Sequence, residues 1–348
     1  RGGVGSSQAL PVARDIVSFL ARLENLAGNE ALIEKAVESR ASSCPDFRGR
    51  HPRRSLFFAT TDSERKGKAP MSIKAIALDI DGTLTNDEKH ITPRTKEALL
   101  AAERAGVTLI LASGRPAHGL RALAHELELD RYHGMLVAYN GSQVRDATSG
   151  ELLFNQAIPV EEARAVLEHL RGFDVIPMLV DADRLYIEDA YRCTIYHKGA
   201  PKNIVKYERD ACGLRIHEVH SLLDWCITPQ NKILTAGTDT YLSEHHEAMA
   251  APFVDKLSCM FTADFYFEFT AQGIDKARAL SVALPERGID PSELVAFGDG
   301  QNDIPMLRLA GVGVAMANAT DEVKSAADMV TLSNNEDGIA AALEELVR

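Results

Sequence analysis

Residues 75–87, AIALDIDGTLTND, run from four small or apolar residues into Asp79 and Asp81, and then into Gly82 and Thr83. The apolar start is typical of a buried β-strand, and the glycine lets the backbone turn where the strand ends. Residues i and i+2 of a strand point to the same side, so the two carboxylates converge. Their repulsion at 4 Å is about 4 kcal/mol at an effective dielectric constant of 20. A divalent cation is therefore predicted beside them.

Two further stretches are typical of anion sites. In LILASGRP, an apolar run ends at Ser113 and Gly114, whose hydroxyl and backbone N–H groups can hold a phosphate. In AQGIDKARAL, Lys276 lies at the start of a helical pattern and can offset nearby carboxylates. Taken alone, SGR fits an ordinary strand-to-helix turn better than an anion site, and a lysine on a helix is almost always a solvated surface group.

A fourth stretch, LVAFGDGQNDIPML, carries oxygen ligands. Asp299, Asn302 and Asp303 follow an apolar run through a glycine-flanked turn. Hard ions such as Mg²⁺ prefer oxygen ligands, so carboxylates gathered at strand ends suit this ion. The stretch therefore supports the metal site predicted at residues 79 and 81.

The order of patterns along the chain indicates an α/β fold. From residue 73 onward, and again near the C-terminus, strand-like runs alternate with helical patterns, which predicts a parallel sheet flanked by helices. Between them the pattern changes to a mixture of strands and helices. We expect a core made of residues 71–141 and 271–348, interrupted by an inserted α+β domain, residues 142–270.

Residues 1–70 differ in composition from the rest of the chain. They carry 12 Lys plus Arg against 8 Asp plus Glu, whereas the whole chain has a net charge of −12. We expect an N-terminal extension that is partly disordered and dispensable. MSIKAIALD, which begins at Met71, looks like a natural start, and this suggests an over-extended reading frame.

Composition limits the class of partner. The net charge of −12 disfavours nucleic acid and anionic membrane, which need a basic face. The five cysteines form no CxxC pair, and no apolar run reaches the roughly 18 residues of a membrane span. We expect a cytoplasmic protein with a small-molecule partner, and the sequence does not determine its oligomeric state.

Together the four stretches resemble the ordered motifs of the haloacid dehalogenase (HAD) superfamily. The long insert, YNGS before it and AGVGVAMANA near the end resemble the Cof-type (subfamily IIB) sugar-phosphate phosphatases. The resemblance covers residues 73–348 and implies a Rossmann-like core with its site at the carboxyl ends of the strands. It also implies that the insert is a cap domain that sets substrate specificity. Asp275 and Ala277, which flank Lys276, depart from the family's pattern at these two positions.

The resemblance also implies a role for each motif residue. Asp79 would attack phosphorus and form an aspartyl-phosphate, while Asp81, its proton favoured by neighbouring negative charges, would act as acid and base. Magnesium would be bound by Asp79, by Asp81 through its backbone carbonyl, and by Asp299, with Asp303 orienting the metal's waters. The phosphate-binding residues would be Ser113, Gly114, Lys276 and Asn302.

Alternatives to a phosphatase remain at this point. A phosphotransferase or phosphomutase could use the same motifs, and a non-catalytic regulatory protein would be expected to lack one of the motif aspartates. The expected substrate is a small phosphorylated metabolite, such as a sugar phosphate. Within the insert, Asp183, Arg184, Tyr186 and His197 are candidates for contact with it.

Overall fold

The computed structural model describes residues 73–346, so the expectations for residues 1–70 lie outside the described part. The strands are β1 (Ala75–Leu78), β2 (Thr108–Ala112), β3 (Met135–Ala138), β4 (Gln143–Asp146), β5 (Leu152–Asn155), β6 (Ile176–Asp181), β7 (Arg184–Ile187), β8 (Thr194–His197), β9 (Ala200–Asn203), β10 (Arg215–Glu218), β11 (Ile233–Ala236), β12 (Leu257–Ala263), β13 (Tyr266–Ala271), β14 (Leu294–Gly298), β15 (Val312–Ala315) and β16 (Met329–Val330). The helices are α1 (Pro93–Arg104), α2 (Ala117–Glu126), α3 (Val160–Leu170), α4 (Ile204–Cys212), α5 (Leu222–Trp225), α6 (Asp239–Ala250), α7 (Lys276–Glu286), α8 (Ile304–Leu309), α9 (Asp321–Ala326) and α10 (Gly338–Leu346).

The first sheet has eight strands in the order β16-β15-β14-β1-β2-β3-β4-β5. The strands from β16 to β3 run parallel, and β4 and β5 are antiparallel additions at one edge. All four residues of β1 are buried, as expected for a central strand with helices on both faces. Because these strands are parallel, their carboxyl ends all lie on the same side of the sheet. The residues that follow β1, β2 and β14 therefore meet there.

The second sheet has six strands in the order β10-β7-β6-β11-β13-β12, and β8 and β9 form a separate hairpin. We call the segment that carries both, residues 156–271, the insert. The predicted α/β fold with a parallel core and an inserted α+β unit is confirmed. Sheet pairing groups residues 143–155 with the core, whereas the expected boundary lies at residue 142.

Helix α7 is fixed against the first sheet by its apolar face. Ala279, Leu280 and Ala283 are fully buried in a cluster with residues of β1, β2 and β14. The first residue of this helix is Lys276, so the packing of α7 determines where the lysine lies. Within residues 73–346, no helix combines the length and apolar character needed to cross a bilayer.

Candidate active site

Three aspartates meet at the carboxyl edge of the first sheet. Asp79 follows β1, and Asp299 and Asp303 follow β14, which pairs with β1. One carboxylate oxygen from each aspartate lies within 4.8 Å of the others. The structure therefore brings together three of the four residues predicted to bind metal, across more than 200 positions of sequence.

Lys276 bridges two of these three aspartates. Its side chain is fully buried, and its Nζ donates to Asp79 Oδ1 and to Asp303 Oδ1, each at 2.6 Å. Burial lowers the pKa of this ammonium, but the two carboxylates outweigh burial and raise the pKa above its usual range. The lysine therefore stays charged and offsets part of the aspartate charge.

Asp275, which departs from the family's pattern just before Lys276, has a structural role. Asp275 is the N-cap of α7, and its Oδ1 accepts a hydrogen bond from Arg278 N at 2.7 Å. An N-cap aspartate satisfies a free N–H and stabilises the helix start. Asp275 therefore helps to hold Lys276 at the first helical position.

Asp299 packs against the turn that follows the first motif. Its Oδ1 accepts from Thr83 Oγ1 at 2.7 Å, and its Oδ2 accepts from Asn318 Nδ2 at 3.3 Å. Gly82 has a φ of +89°, and a Cβ added there would lie 2.3 Å from Asp299 Oδ2. The glycine therefore allows the loop to approach the carboxylate closely.

Asp303 uses both carboxylate oxygens within the protein. Besides the bond from Lys276 to Oδ1, its Oδ2 accepts from the backbone N–H groups of Asp299 and Gly300, at 3.0 and 2.9 Å. The residue is fully buried. Asp303 thus fixes the turn that carries Asp299, which suits a supporting position beside a metal.

The donor set fits a hard divalent cation. Three carboxylates surround one ammonium, and Asp79 Oδ2 has no hydrogen-bond partner among residues 73–346. Burial, together with the charges of Asp303 and Asp299, raises the pKa of Asp79 to about 7 despite the opposing effect of Lys276. Burial likewise raises the pKa of Asp299. An additional cation would relieve this excess of negative charge, and carboxylate oxygens are the donors that Mg²⁺ prefers.

Asp81 does not join this cluster. Its carboxylate accepts from Lys89 Nζ and from Arg115 Nη2, each at 2.9 Å, and its side chain is 44% exposed. Burial tends to raise its pKa, but these two cations outweigh burial and lower the pKa below its usual range. The expectation that negative neighbours favour its proton is therefore wrong in this arrangement, because Asp81 faces cations.

The predicted phosphate-binding residues lie beside the cluster. Ser113 follows β2 and is buried, and Gly114 is the next residue. A Cβ on Gly114 would lie 3.1 Å from Asn140 Nδ2, and Asn302 Nδ2 donates to Asn140 Oδ1 at 3.0 Å. The loop after β2 and the turn after β14 therefore meet through Asn140.

The sequence motifs predict no role for Asn140. This residue lies in the YNGS segment after β3 and has a φ of 55°, in the left-handed region that asparagine tolerates better than most residues. The feature of the sequence that could have indicated this residue is an Asn-Gly pair directly after a buried strand, on the same side of the sheet as the other motifs.

The four insert residues named as candidates for substrate contact have partners within the insert. Asp183 pairs with Arg215 and Arg184, and His197 Nδ1 lies 2.7 Å from Asp239 Oδ1. Tyr186 is buried and stacks on Trp225, with 3.8 Å between ring centroids. Tyr186 is thereby part of the core of the insert, whereas Asp183 and Arg184 remain partly exposed.

Comparison with known proteins places the chain in a family. A family model described as haloacid dehalogenase-like hydrolase matches residues 76–343. The 5-amino-6-(5-phospho-D-ribitylamino)uracil phosphatase YcsE of Bacillus subtilis (strain 168) is 31% identical over 280 residues, which are 80% of this chain and 97% of that protein.

Two solved structures support the same family. A haloacid dehalogenase-like hydrolase from Bacteroides thetaiotaomicron has a TM-score of 0.73 and 34% identity, covering 79% of this chain and 100% of that one. The HAD subclass IIB sugar phosphatase BT4131 has a TM-score of 0.64 and 26% identity, covering 78% and 98%. The chain belongs to the haloacid dehalogenase-like hydrolases of the Cof type, and it is an enzyme of the phosphatase class.

Proposed function

We propose that the chain is a Mg²⁺-dependent phosphatase that hydrolyses small phosphorylated metabolites, of the sugar-phosphate class, through an aspartyl-phosphate. The observation that carries this proposal is the cluster of Asp79, Asp299 and Asp303 around Lys276, beside the loop of Ser113 and Gly114. The names of the relatives, a phosphatase acting on a ribitylaminouracil phosphate and a sugar phosphatase, support the substrate class.

Asp79 is the proposed nucleophile. Lys276 holds its Oδ1, which leaves Oδ2 available to form a bond to phosphorus as the bond from phosphorus to the leaving alcohol breaks. A water molecule then attacks phosphorus, releases inorganic phosphate and regenerates the carboxylate. Mg²⁺ held by Asp79, Asp299 and the Asp81 backbone carbonyl would supply charge stabilisation to the transferring group, with Asp303 supporting the site.

The remaining motif residues bind the phosphoryl oxygens. Ser113 through its hydroxyl, Gly114 through its amide, and the Lys276 and Asn302 side chains are assigned to this role, since charge on these oxygens must be stabilised throughout the transfer. Asn140 positions Gly114 and Asn302 relative to each other.

Asp81 is the proposed acid and base. It would protonate the leaving alcohol and later accept a proton from the attacking water. Because Lys89 and Arg115 lower its pKa in the present arrangement, we assign it this role after its carboxylate leaves both cations.

We also propose that the insert acts as a cap over the site. Arg115 Nη1 donates to the carbonyl of Ala211 in the insert at 3.3 Å. The insert therefore contacts the residue that follows Gly114, next to the proposed phosphate site.

The proposal is tested by substituting the nucleophile. In Asp79→Asn, turnover is expected to be lost while the protein stays folded, because the amide cannot form the acyl phosphate. Release of inorganic phosphate from a panel of phosphorylated metabolites, with Mg²⁺ and with EDTA, measures this. Undiminished phosphate release by purified Asp79→Asn would contradict the proposal. Transfer of phosphate to a second sugar without release would identify a phosphotransferase instead.

A further inference from the structure

A buried ion pair in the insert lies close to the proposed phosphate site. Lys232 immediately precedes β11, and Glu268 lies in β13, which pairs with β11 so that Leu234 is opposite Glu268. Lys232 Nζ lies 2.8 Å from Glu268 Oε1, and the two side chains are 8% and 6% exposed. The insert thus places a desolvated charge pair on the side that faces the first sheet.

The lysine of this pair also reaches across to the core. Its Nζ donates to the backbone carbonyl of Gly114 at 3.3 Å. Burial lowers the pKa of this ammonium, but the charges of Glu268 and Glu208 outweigh burial, so the net shift is upward and Lys232 stays protonated. Gly114 is therefore held by a full positive charge from the insert.

The segment that carries the lysine is itself anchored to the first sheet. Gln230 exchanges two backbone hydrogen bonds with Ile158 within the insert, and the next residue reaches the core: Asn231 Nδ2 donates to Ser142 Oγ at 2.7 Å. Asn231 Nδ2 also donates to Asn155 Oδ1 at 2.7 Å. Two successive residues, Asn231 and Lys232, thus join the insert to the core, and Lys232 is the one that contacts the phosphate loop.

We propose that Lys232 is a positioning residue for phosphoryl transfer, which it supports by holding the Gly114 carbonyl and so orienting the phosphate loop, residues 113–115. The inference rests on the proposed function. A peptide unit is planar, so fixing the carbonyl of Gly114 also fixes the N–H of Arg115, which donates to the proposed phosphate-binding hydroxyl of Ser113 at 3.3 Å. The core also holds this loop, because the backbone N–H of Asn140 donates to the Ser113 carbonyl at 2.9 Å.

If Lys232 positions the phosphate loop, removing this lysine should lower kcat/KM by a factor that does not depend on the leaving group of the substrate. In Lys232→Met, kcat/KM is expected to fall by about 10- to 100-fold, as is typical when a partner of a site residue is removed. Because the loop binds the phosphoryl group, the factor should be the same for p-nitrophenyl phosphate and for glucose 6-phosphate. Inhibition by inorganic phosphate should weaken in parallel.

Removal of the lysine alone leaves Glu268 buried without its partner, which can destabilise the fold. The double variant Lys232→Met/Glu268→Gln removes both charges and is expected to melt close to the wild type while keeping the loss of activity. Lys206→Met, an exposed lysine of the same insert, is the matched control and should behave as the wild type.

The full-length chain with Mg²⁺ is the material for these assays. Equal losses on both esters in a folded double variant support the inference. Wild-type kcat/KM in that variant overturns it, and so does a loss confined to glucose 6-phosphate, which would mean contact with the sugar. If the wild type releases no phosphate from any ester, the proposed function itself fails.

Discussion

At the scale of single residues, Gly82 shows how closely the site is built. Its φ of +89° favours glycine, and its Cα hydrogen faces the Asp299 carboxylate, so a methyl group would overlap that carboxylate. The absence of a side chain at Gly82 therefore allows the turn after Asp79 to approach Asp299.

Gly82→Ala is expected to reduce activity strongly, because Asp299 must move away from the added methyl group. The control is Gly106→Ala, since Gly106 has the same φ of +89° but an added Cβ there meets nothing within 4 Å. Both variants should lose about 1 kcal/mol of stability from backbone strain. Thermal unfolding and phosphate release measure the two effects, and equal activity in the two variants would contradict the role given to Gly82.

At the scale of secondary structure, helix α7 connects folding to the site. Its buried alanines and leucines fix its axis against the sheet, and its N-cap Asp275 fixes where it begins, which is at Lys276. The ammonium between Asp79 and Asp303 is therefore placed by a helix end, where a shift of one residue would remove it from the cluster.

Asp275→Ala is expected to cost about 0.5–2 kcal/mol of stability, as is usual for a lost N-cap, and to lower activity because the first turn of α7 loosens. Thr238→Ala is the matched control, since Thr238 caps α6 in the insert by accepting from Tyr241 N at 3.2 Å. It should lose similar stability with activity retained. Chemical denaturation and kcat/KM distinguish them, and full activity in Asp275→Ala would argue against this coupling.

At the scale of the whole molecule, stability is expected to depend on pH through Glu103. This residue of α1 is 2% exposed, and its carboxylate oxygens have no hydrogen-bond partner among the described residues. Burial, with the charges of Glu128 and Asp130, raises its pKa from an ordinary value of 4.5 to about 8. The folded state therefore holds a proton that the unfolded chain releases above pH 4.5.

The stability that Glu103 contributes is complete below pH 4.5 and is lost as pH rises through about 8. Glu103→Gln removes this dependence, so it should raise the free energy of unfolding by about 1–3 kcal/mol at pH 9 and by little at pH 4. Urea unfolding at the two pH values measures the difference. A greater stabilisation at pH 4 would show that the carboxyl is ionised in the fold.

Much of the fold and the site follows from local patterns in the sequence. The apolar run before Asp79 predicts the central strand, and carboxyl ends of parallel strands must meet, so the convergence of Asp79 and Asp299 is predictable. The partners of Asp81 are not predictable from the sequence, because Lys89 and Arg115 reach it through side-chain conformations that depend on loop packing. Asn140 and Lys232 act through contacts between distant segments, which a single sequence does not encode locally.

In the proposed mechanism, Asp79 and Asp299 bind one divalent ion while a free oxygen of Asp79 faces phosphorus. A crystal structure of the chain with Mg²⁺ and orthovanadate, a mimic of the transferring phosphoryl group, tests this most directly. We expect one ion in contact with both carboxylates, and vanadium next to the Asp79 oxygen and within reach of Ser113 and Lys276. Vanadate bound elsewhere, or an ion that contacts neither aspartate, would contradict it.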